Sequence, residues 1–234
     1  MTGDPVEVVA KLSARCFEQT GSLAAELIGA LLAADLGLAV PEPLYVFLSP
    51  QFLAAIEDRA WAADATNGSL LAFGSAQLVG GYSVWNGSAK IPDEMVDAVA
   101  AAFIFDCATG NSDRRPDNPN CLRRGNNFYL IDHELCFPPI ILGRPPAWNL
   151  GGLQDFEQAG RQIFADALRG RVIGWEHIRR RWKSLSDASV DGYGHALPPE
   201  WLDGQAVVNR AIRQIKQARD NVDGLIAEAE RVLT

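Results

Sequence analysis

The 234-residue sequence is short of several things. It has no stretch of about 20 apolar residues, the length a helix needs to cross a bilayer core. Its densest apolar run, Val96 to Phe105, is too short for that and reads as a buried helix. The opening Met-Thr-Gly-Asp-Pro-Val-Glu lacks a basic segment followed by an apolar one, so no signal peptide is expected. Cysteine is scarce. Cys16, Cys107, Cys121 and Cys136 form no C-x-x-C pair, and the three histidines add no zinc-ligand spacing. Four reduced, mostly buried thiols in a cytoplasmic protein is the reading that follows. Positive charge is short as well. A formal net charge of −8 suits nucleic acid poorly, because phosphate contacts need a basic surface, so no nucleic-acid partner is expected. No basic amphipathic helix is visible, which argues against a membrane surface. Internal repeats and low-complexity segments are missing too.

What is present is an ordinary globular composition, 48% hydrophobic and 21% charged, enough for a sizeable core. Val6 to Leu12 is short and β-branched and predicts a strand. Ser22 to Leu36 carries an i, i+4, i+7 apolar stripe and predicts a helix, with Ser22 as its cap and Gly37 as its terminator. A Pro-bounded turn and second strand follow over Val40 to Leu48, a short helix over Pro50 to Ala62, and a strand over Ser69 to Gly74 ending in a glycine turn. Ala76 to Asn86 reads as irregular, and Pro92 to Ala108 as a helix with Pro92 in its first turn. Asn127 to Asp132 reads as a strand, preceded by a hairpin-like turn over Arg123 to Asn127. After a Pro/Gly-rich loop over Pro138 to Gly152 the remainder is predicted helical, over Phe156–Leu168, Trp175–Ser184 and Gly204–Leu233. Gly192, Gly194 and Pro198-Pro199 mark the break before the last helix. The order predicts an α+β chain of two lobes, 1–90 rich in strands and 91–234 mainly helical, with the boundary between Gly80 and Pro92.

The segment Thr109-Gly-Asn-Ser-Asp-Arg-Arg-Pro-Asp-Asn-Pro-Asn120 places Asp113 five residues before Asn118. Alone this spacing describes an Asx-rich turn as well as a site. The strand Phe128-Tyr-Leu-Ile131 then delivers Asp132, and the set becomes more specific. A loop carboxylate can accept a hydrogen bond from an attacking hydroxyl and take up its proton. An amide oxygen and a second carboxylate can hold Mg²⁺ on phosphate oxygens. Asp113 is therefore the candidate catalytic residue, and Asn118 and Asp132 are the candidate metal ligands. Lys11, late in the first strand after Val9-Ala10, can neutralise phosphate oxygens, with Glu26 on the following helix as its ion-pair partner. His133 is expected to pack and orient its loop, with Glu134 a weaker metal candidate. Asp106 sits at the C-terminal end of its helix, where the dipole disfavours a carboxylate, and calls for a partner such as Arg114.

The run Phe105-Asp-Cys-Ala-Thr-Gly-Asn-Ser-Asp-Arg-Arg-Pro-Asp-Asn-Pro-Asn-Cys-Leu122, followed by Leu130-Ile-Asp-His-Glu-Leu-Cys-Phe137, resembles the HipA-like kinases and is more distantly similar to the phosphatidylinositol kinases. The lysine, the helix bearing Glu26 and the Val40-Pro41 pair fit the same resemblance. It implies a bilobal kinase fold and ATP- and Mg²⁺-dependent phosphorylation, usually of Ser or Thr. It carries Asp113 over as catalytic aspartate, Asn118 and Asp132 as metal ligands and Lys11 as the phosphate lysine. By order, it puts the adenine-reading hinge near Leu70 to Gly74. Some members are regulated by a partner protein, which makes such a partner an expectation here, while the protein substrate stays unnamed. The resemblance also calls for a Gly-rich loop ahead of Lys11. Gly3 is the one glycine there, so that loop is expected to be missing from this sequence. Three readings follow: an active Ser/Thr protein kinase, a small-molecule or lipid kinase, and a nucleotide-binding pseudokinase acting as a regulatory module.

Overall fold

The computed structural model describes residues 5–87 and 90–234. Gly3 lies outside the described residues, as do residues 88 and 89 within the expected lobe boundary. The fold is mixed α+β, with two three-stranded antiparallel sheets among the described residues.

The first sheet is built from β1 (Val8–Lys11), β2 (Pro43–Phe47) and β3 (Leu71–Ala76), with β3 in the middle. Lys11 lies opposite Phe73 and Val9 opposite Ser75, so the two-residue alternation of a strand puts all four on one face. Gly74, expected at a turn, lies inside β3 instead, between Ala10 and Leu44. A Cβ there would stand 2.5 Å from a Val46 methyl, so the glycine serves close packing within the sheet.

Between β1 and β2 runs α1 (Thr20–Asp35). It starts two residues before the expected cap: Ser22 is buried within its first turn, and its hydroxyl accepts the Glu18 N–H at 3.2 Å. The end is as expected. Gly37 at φ 72° allows its own N–H to reach Ala34 O and that of Leu38 to reach Ala33 O, a Schellman closure. The expected helix over 50–62 is two, α2 (Pro50–Ala55) and α3 (Arg59–Asn67), each begun by a side-chain cap, Ser49 on Phe52 N and Asp58 on Trp61 N.

The second sheet joins β4 (Ser83–Val84), from a stretch expected to be irregular, to β5 (Cys121–Arg124) and β6 (Asn127–Leu130). The last strand is shorter than the sequence predicts. Ile131 leaves the ladder to donate to Asn120 O at 3.1 Å, and Asp132 turns into the left-handed region at φ 59°. Between the sheet's strands lies α4 (Val96–Thr109), entered through a short 3₁₀ turn at Asp93–Met95.

Five more helices follow: α5 (Ile163–Leu168), α6 (Trp175–Ser184), α7 (Asp187–His195), α8 (Gln205–Asp220) and α9 (Val222–Leu233). The expected helix from Phe156 is cut to α5, because Gly160 adopts φ 79° and the Gln162 side chain caps a new start on Phe164 and Ala165. Gly192 and Gly194, read as a break, sit inside α7. Burial of Val190 and Tyr193 and the Ser186 cap outweigh the weak helix propensity of glycine. The long C-terminal helix is interrupted at Asn221.

One core dominates. It combines Ala24, Ile28 and Leu32 of α1 with Val99, Phe103 and Ile104 of α4, Val208 and Ile215 of α8, and Leu225 and Ile226 of α9. α1 and α4 are apolar nearly all round, as fully enclosed helices must be. A small separate cluster, Leu12, Leu48, Leu53, Ala65 and Ala72, glues α2 and α3 to the first sheet. A third, Leu23, Leu27, Phe73 and Trp201, ties β3 and α1 to the turn before α8, where Trp201 Nε1 donates to Leu71 O at 2.7 Å. No helix among the described residues is long and apolar enough to cross a membrane.

Candidate active site

The face of the first sheet bearing Val9, Lys11, Phe73 and Ser75 looks into a cavity of about 310 Å³. Pro41, Leu78, Tyr82, Leu122 and Ile131 complete apolar walls, and Lys11, Glu26 and Asp132 supply its charged groups. Gly74 does not line it. The chain leaving β3, through Ala76, Gln77 and Leu78, does. Of the span Leu70 to Gly74, where order along the chain put the hinge, Phe73 lines the cavity.

Lys11 is the centre of an ionic cluster. Its Nζ lies 2.9 Å from Glu26 Oε2, 2.7 Å from Asp132 Oδ1 and 3.1 Å from Glu134 Oε2. Three carboxylates face one ammonium, which leaves the cluster two negative charges in excess. Burial pulls the lysine pKa down, but Glu26 and Asp132 outweigh it and hold the ammonium well above the ordinary lysine range. Glu26 is 4% exposed. Burial pushes its pKa up, and the contacts with His133 and Lys11 more than reverse this, to about 2. The pairing of Lys11 with Glu26 is the one the sequence led us to expect. Glu134, the weaker metal candidate, pairs with the same lysine as Asp132.

Asp113 lies in the loop after α4. Its N–H donates to Asn111 Oδ1 at 3.1 Å, which fixes the start of the loop. Arg115 and Asn118 exchange backbone hydrogen bonds at 3.1 and 3.0 Å across Pro116 and Asp117, a tight turn that brings Asn118 back to Asp113. The Asn118 amide donates to Asp113 Oδ2 at 2.6 Å, so its carbonyl oxygen is the atom left to act as a ligand. Asn120, at φ 44°, donates to the same Oδ2 at 3.2 Å. The sequence reading did not assign Asn120. Its presence in an Asn-Pro-Asn run two residues after Asn118 was the available signal.

Arg114 is fully buried and staples the two loops. Its guanidinium binds Asp106 through Nε at 3.0 Å and donates through Nη1 to the carbonyls of Asn120 and, at 3.0 Å, Ile131. The partner expected for Asp106 is thus in place. Gln162 adds a further hydrogen bond to Asp106 at 2.9 Å. Burial raises the Asp106 pKa despite Arg114, and the arginine, although burial opposes its charge, is held above its usual range by Asp106. His133 is packed as expected, 2% exposed, and bonded to Glu26.

Among the described residues no group of three or more His, Cys, Asp or Glu is arranged to hold a metal. That is the pattern of an all-protein cage. An amide and a carboxylate completed by phosphate oxygens and water form a different donor set, the one magnesium prefers.

In order and type these residues are those expected of a phosphotransferase site: a lysine paired to a helix carboxylate, a loop aspartate clamped by an asparagine, and a carboxylate after a strand. A family model described as a HipA-like kinase matches residues 15–142. The match spans more than half of the 234 residues, and the chain belongs to the HipA-like kinase family. Glu26, Gly74, Asp113, Asn118 and Asp132 fall within it, and Lys11 precedes it. Comparison with curated proteins and with solved structures gave no match.

Proposed function

We propose that this protein transfers the γ-phosphate of Mg-ATP to a Ser or Thr hydroxyl of a protein, working as a bilobal kinase of lobes 1–90 and 91–234. The observation that carries the reading is the asymmetric hold on Asp113: two amides occupy Oδ2, while among the described residues Oδ1 has only Arg115 Nη2 at 3.6 Å. A carboxylate held in this way keeps one oxygen oriented to accept the hydroxyl hydrogen bond and to take up the proton.

The residues present fit the nucleotide. The cavity offers apolar walls, Val9, Phe73, Leu78 and Leu122, suited to a flat base, and a charged edge at Lys11 and Asp132 suited to phosphates. When bound, Mg-ATP supplies the transferable phosphoryl group. Lys11 would face nonbridging phosphate oxygens, with Glu26 holding the ammonium in place. Asn118 Oδ1 and Asp132 would hold the cation, for which the two excess negative charges of the lysine cluster are a suitable field. A cytoplasmic setting, supported by four free cysteines, and control by a partner protein complete the proposal.

The test is a thermal-shift titration with ATP, with and without Mg²⁺, followed by transfer from γ-labelled ATP to protein and to metabolite fractions. Mg-dependent stabilisation and labelled protein support the proposal. Label confined to small molecules would make this a small-molecule kinase. Mg-dependent stabilisation without transfer would make it a pseudokinase.

A further inference from the structure

Gly29 and His133 meet where α1 crosses the loop after β6. A Cβ built on Gly29 would lie 2.6 Å from His133 Cβ and 3.1 Å from its Cγ, too close for either side chain to stay where it is. The His133 ring is confined on the other side by Phe105, edge to face at 5.7 Å between centroids. Its backbone N–H donates to Glu26 Oε2 at 2.8 Å, and its Nδ1 stands 3.4 Å from Glu26 Oε1. An ionised carboxylate only accepts, so Nδ1 carries the proton. Nε2 is buried with no hydrogen-bond partner among the described residues, so Glu26 is the ring's one polar contact.

The same Oε2 of Glu26 that accepts from the His133 backbone accepts from Lys11 at 2.9 Å, and Lys11 returns to Asp132, the neighbour of His133, at 2.7 Å. The contacts close a ring through α1, β1 and the loop. The peptide joining Asp132, at φ 59°, to His133 is one of its sides. Glu26 therefore divides its hydrogen bonds between the lysine and the backbone that aims Asp132, and the seating of His133 against Gly29 sets how closely α1 approaches that backbone.

We propose that His133 is a positioning residue for phosphoryl transfer, acting through Glu26 on both Lys11 and Asp132, and that Gly29 is the seat that permits it. The proposal rests on the kinase reading above. A packing role for the ring and a hydrogen-bonding role for Nδ1 are separable. His133→Phe keeps a ring beside Phe105 and loses the nitrogen. His133→Asn keeps a donor near the Nδ1 position and loses the ring.

The experiment measures kcat and KM for ATP, together with the melting temperature without nucleotide, for wild type and both variants. The expected result is a loss of kcat/KM on the order of tenfold in His133→Phe, as for other partners that orient a ligating group, with His133→Asn close to wild type. Phe retaining activity, or Asn doing no better than Phe, overturns the proposal. Should His133→Phe fail to fold, His133→Leu, which also lacks the nitrogen, and Gly29→Ala decide it. Both should depress kcat/KM, the alanine because its Cβ would meet the His133 Cβ. Either variant at the wild-type kcat/KM overturns the proposal. If wild type shows neither Mg-dependent ATP stabilisation nor transfer, the kinase reading falls and takes the proposal with it. If wild type passes and only the His133 pattern fails, the reading stands alone.

Discussion

The Asn118 side-chain amide donates to Oδ2 of Asp113 at 2.6 Å, and Asn120 donates to the same oxygen at 3.2 Å. The carboxylate is thereby fixed by one edge. Asp113→Ala is expected to lower phosphoryl transfer by roughly 10²–10⁴-fold, the usual worth of a positioned acid–base group, while leaving ATP binding largely intact. Steady-state turnover beside an ATP thermal-shift titration checks this. Wild-type turnover in the variant would remove Asp113 from the chemistry. Asn120→Ala should act in the same direction but less, through kcat with little change in KM for ATP, because it orients the carboxylate and does not line the cavity beside Lys11.

Asp132 combines a left-handed backbone with a direct ion pair to Lys11. Asp132→Asn keeps the shape and removes the charge. We expect the variant to lose the Mg²⁺-dependent part of ATP stabilisation while retaining its melting temperature without nucleotide within a few degrees. Equal Mg²⁺ dependence in variant and wild type would place the cation elsewhere. The backbone conformation argues for Asn over Ala in this test, since Asn tolerates positive φ and most other residues do not.

The lysine cluster gives stability a defined acid limb. Glu26 has a pKa of about 2 in the folded protein against an ordinary value of 4.5. A carboxylate whose pKa is lowered on folding contributes stability that is fully present above pH 4.5 and is lost as the pH falls from 4.5 towards 2. The contribution is on the order of 3 kcal/mol, at 1.36 kcal/mol per pKa unit. Lys11 works at the other end. Its raised pKa gives stability that is complete below the ordinary lysine value and fades only above it. Urea unfolding of wild type and Glu26→Gln at pH 6 and pH 3 checks the acid limb. The gap between the two proteins should narrow at pH 3, and a constant gap would deny Glu26 its role.

The parts of this site that were legible in the sequence are those set by local chemistry. Asp113, Asn118 and Asp132 announce themselves by type and spacing, and Lys11 and Glu26 by their places on a short strand and the next helix. The helices α1, α4 and α6 were legible because continuous apolar or amphipathic character leaves few alternatives. What was not legible depends on partners far along the chain. Nothing local says that Ser83–Val84 will find Leu122 and Arg123, or that Gly74 is wanted inside a strand for the sake of Val46. Gly192 looked like a helix breaker because its neighbours' burial is a tertiary fact. The pairing of Glu134 with Lys11, 123 positions earlier in the chain, cannot be read from spacing.

Arg114 offers the sharpest separation of stability from chemistry. Its charge and that of Asp106 are both fully buried, 3.0 Å apart, and the arginine also spans the carbonyls of Asn120 and Ile131. Arg114→Met fills similar volume but strands the Asp106 carboxylate, which should cost about 3–5 kcal/mol, the usual result of breaking a buried pair from one side. Adding Asp106→Asn removes the stranded charge and should return part of that stability, measured by denaturant midpoint. Activity should not return with it, because the double variant still lacks the guanidinium that ties the Asp113 loop to the backbone beside Asp132. Recovery of both together would reduce Arg114 to a neutraliser of Asp106. Recovery of stability alone would make it the strut that keeps the two halves of the site in register.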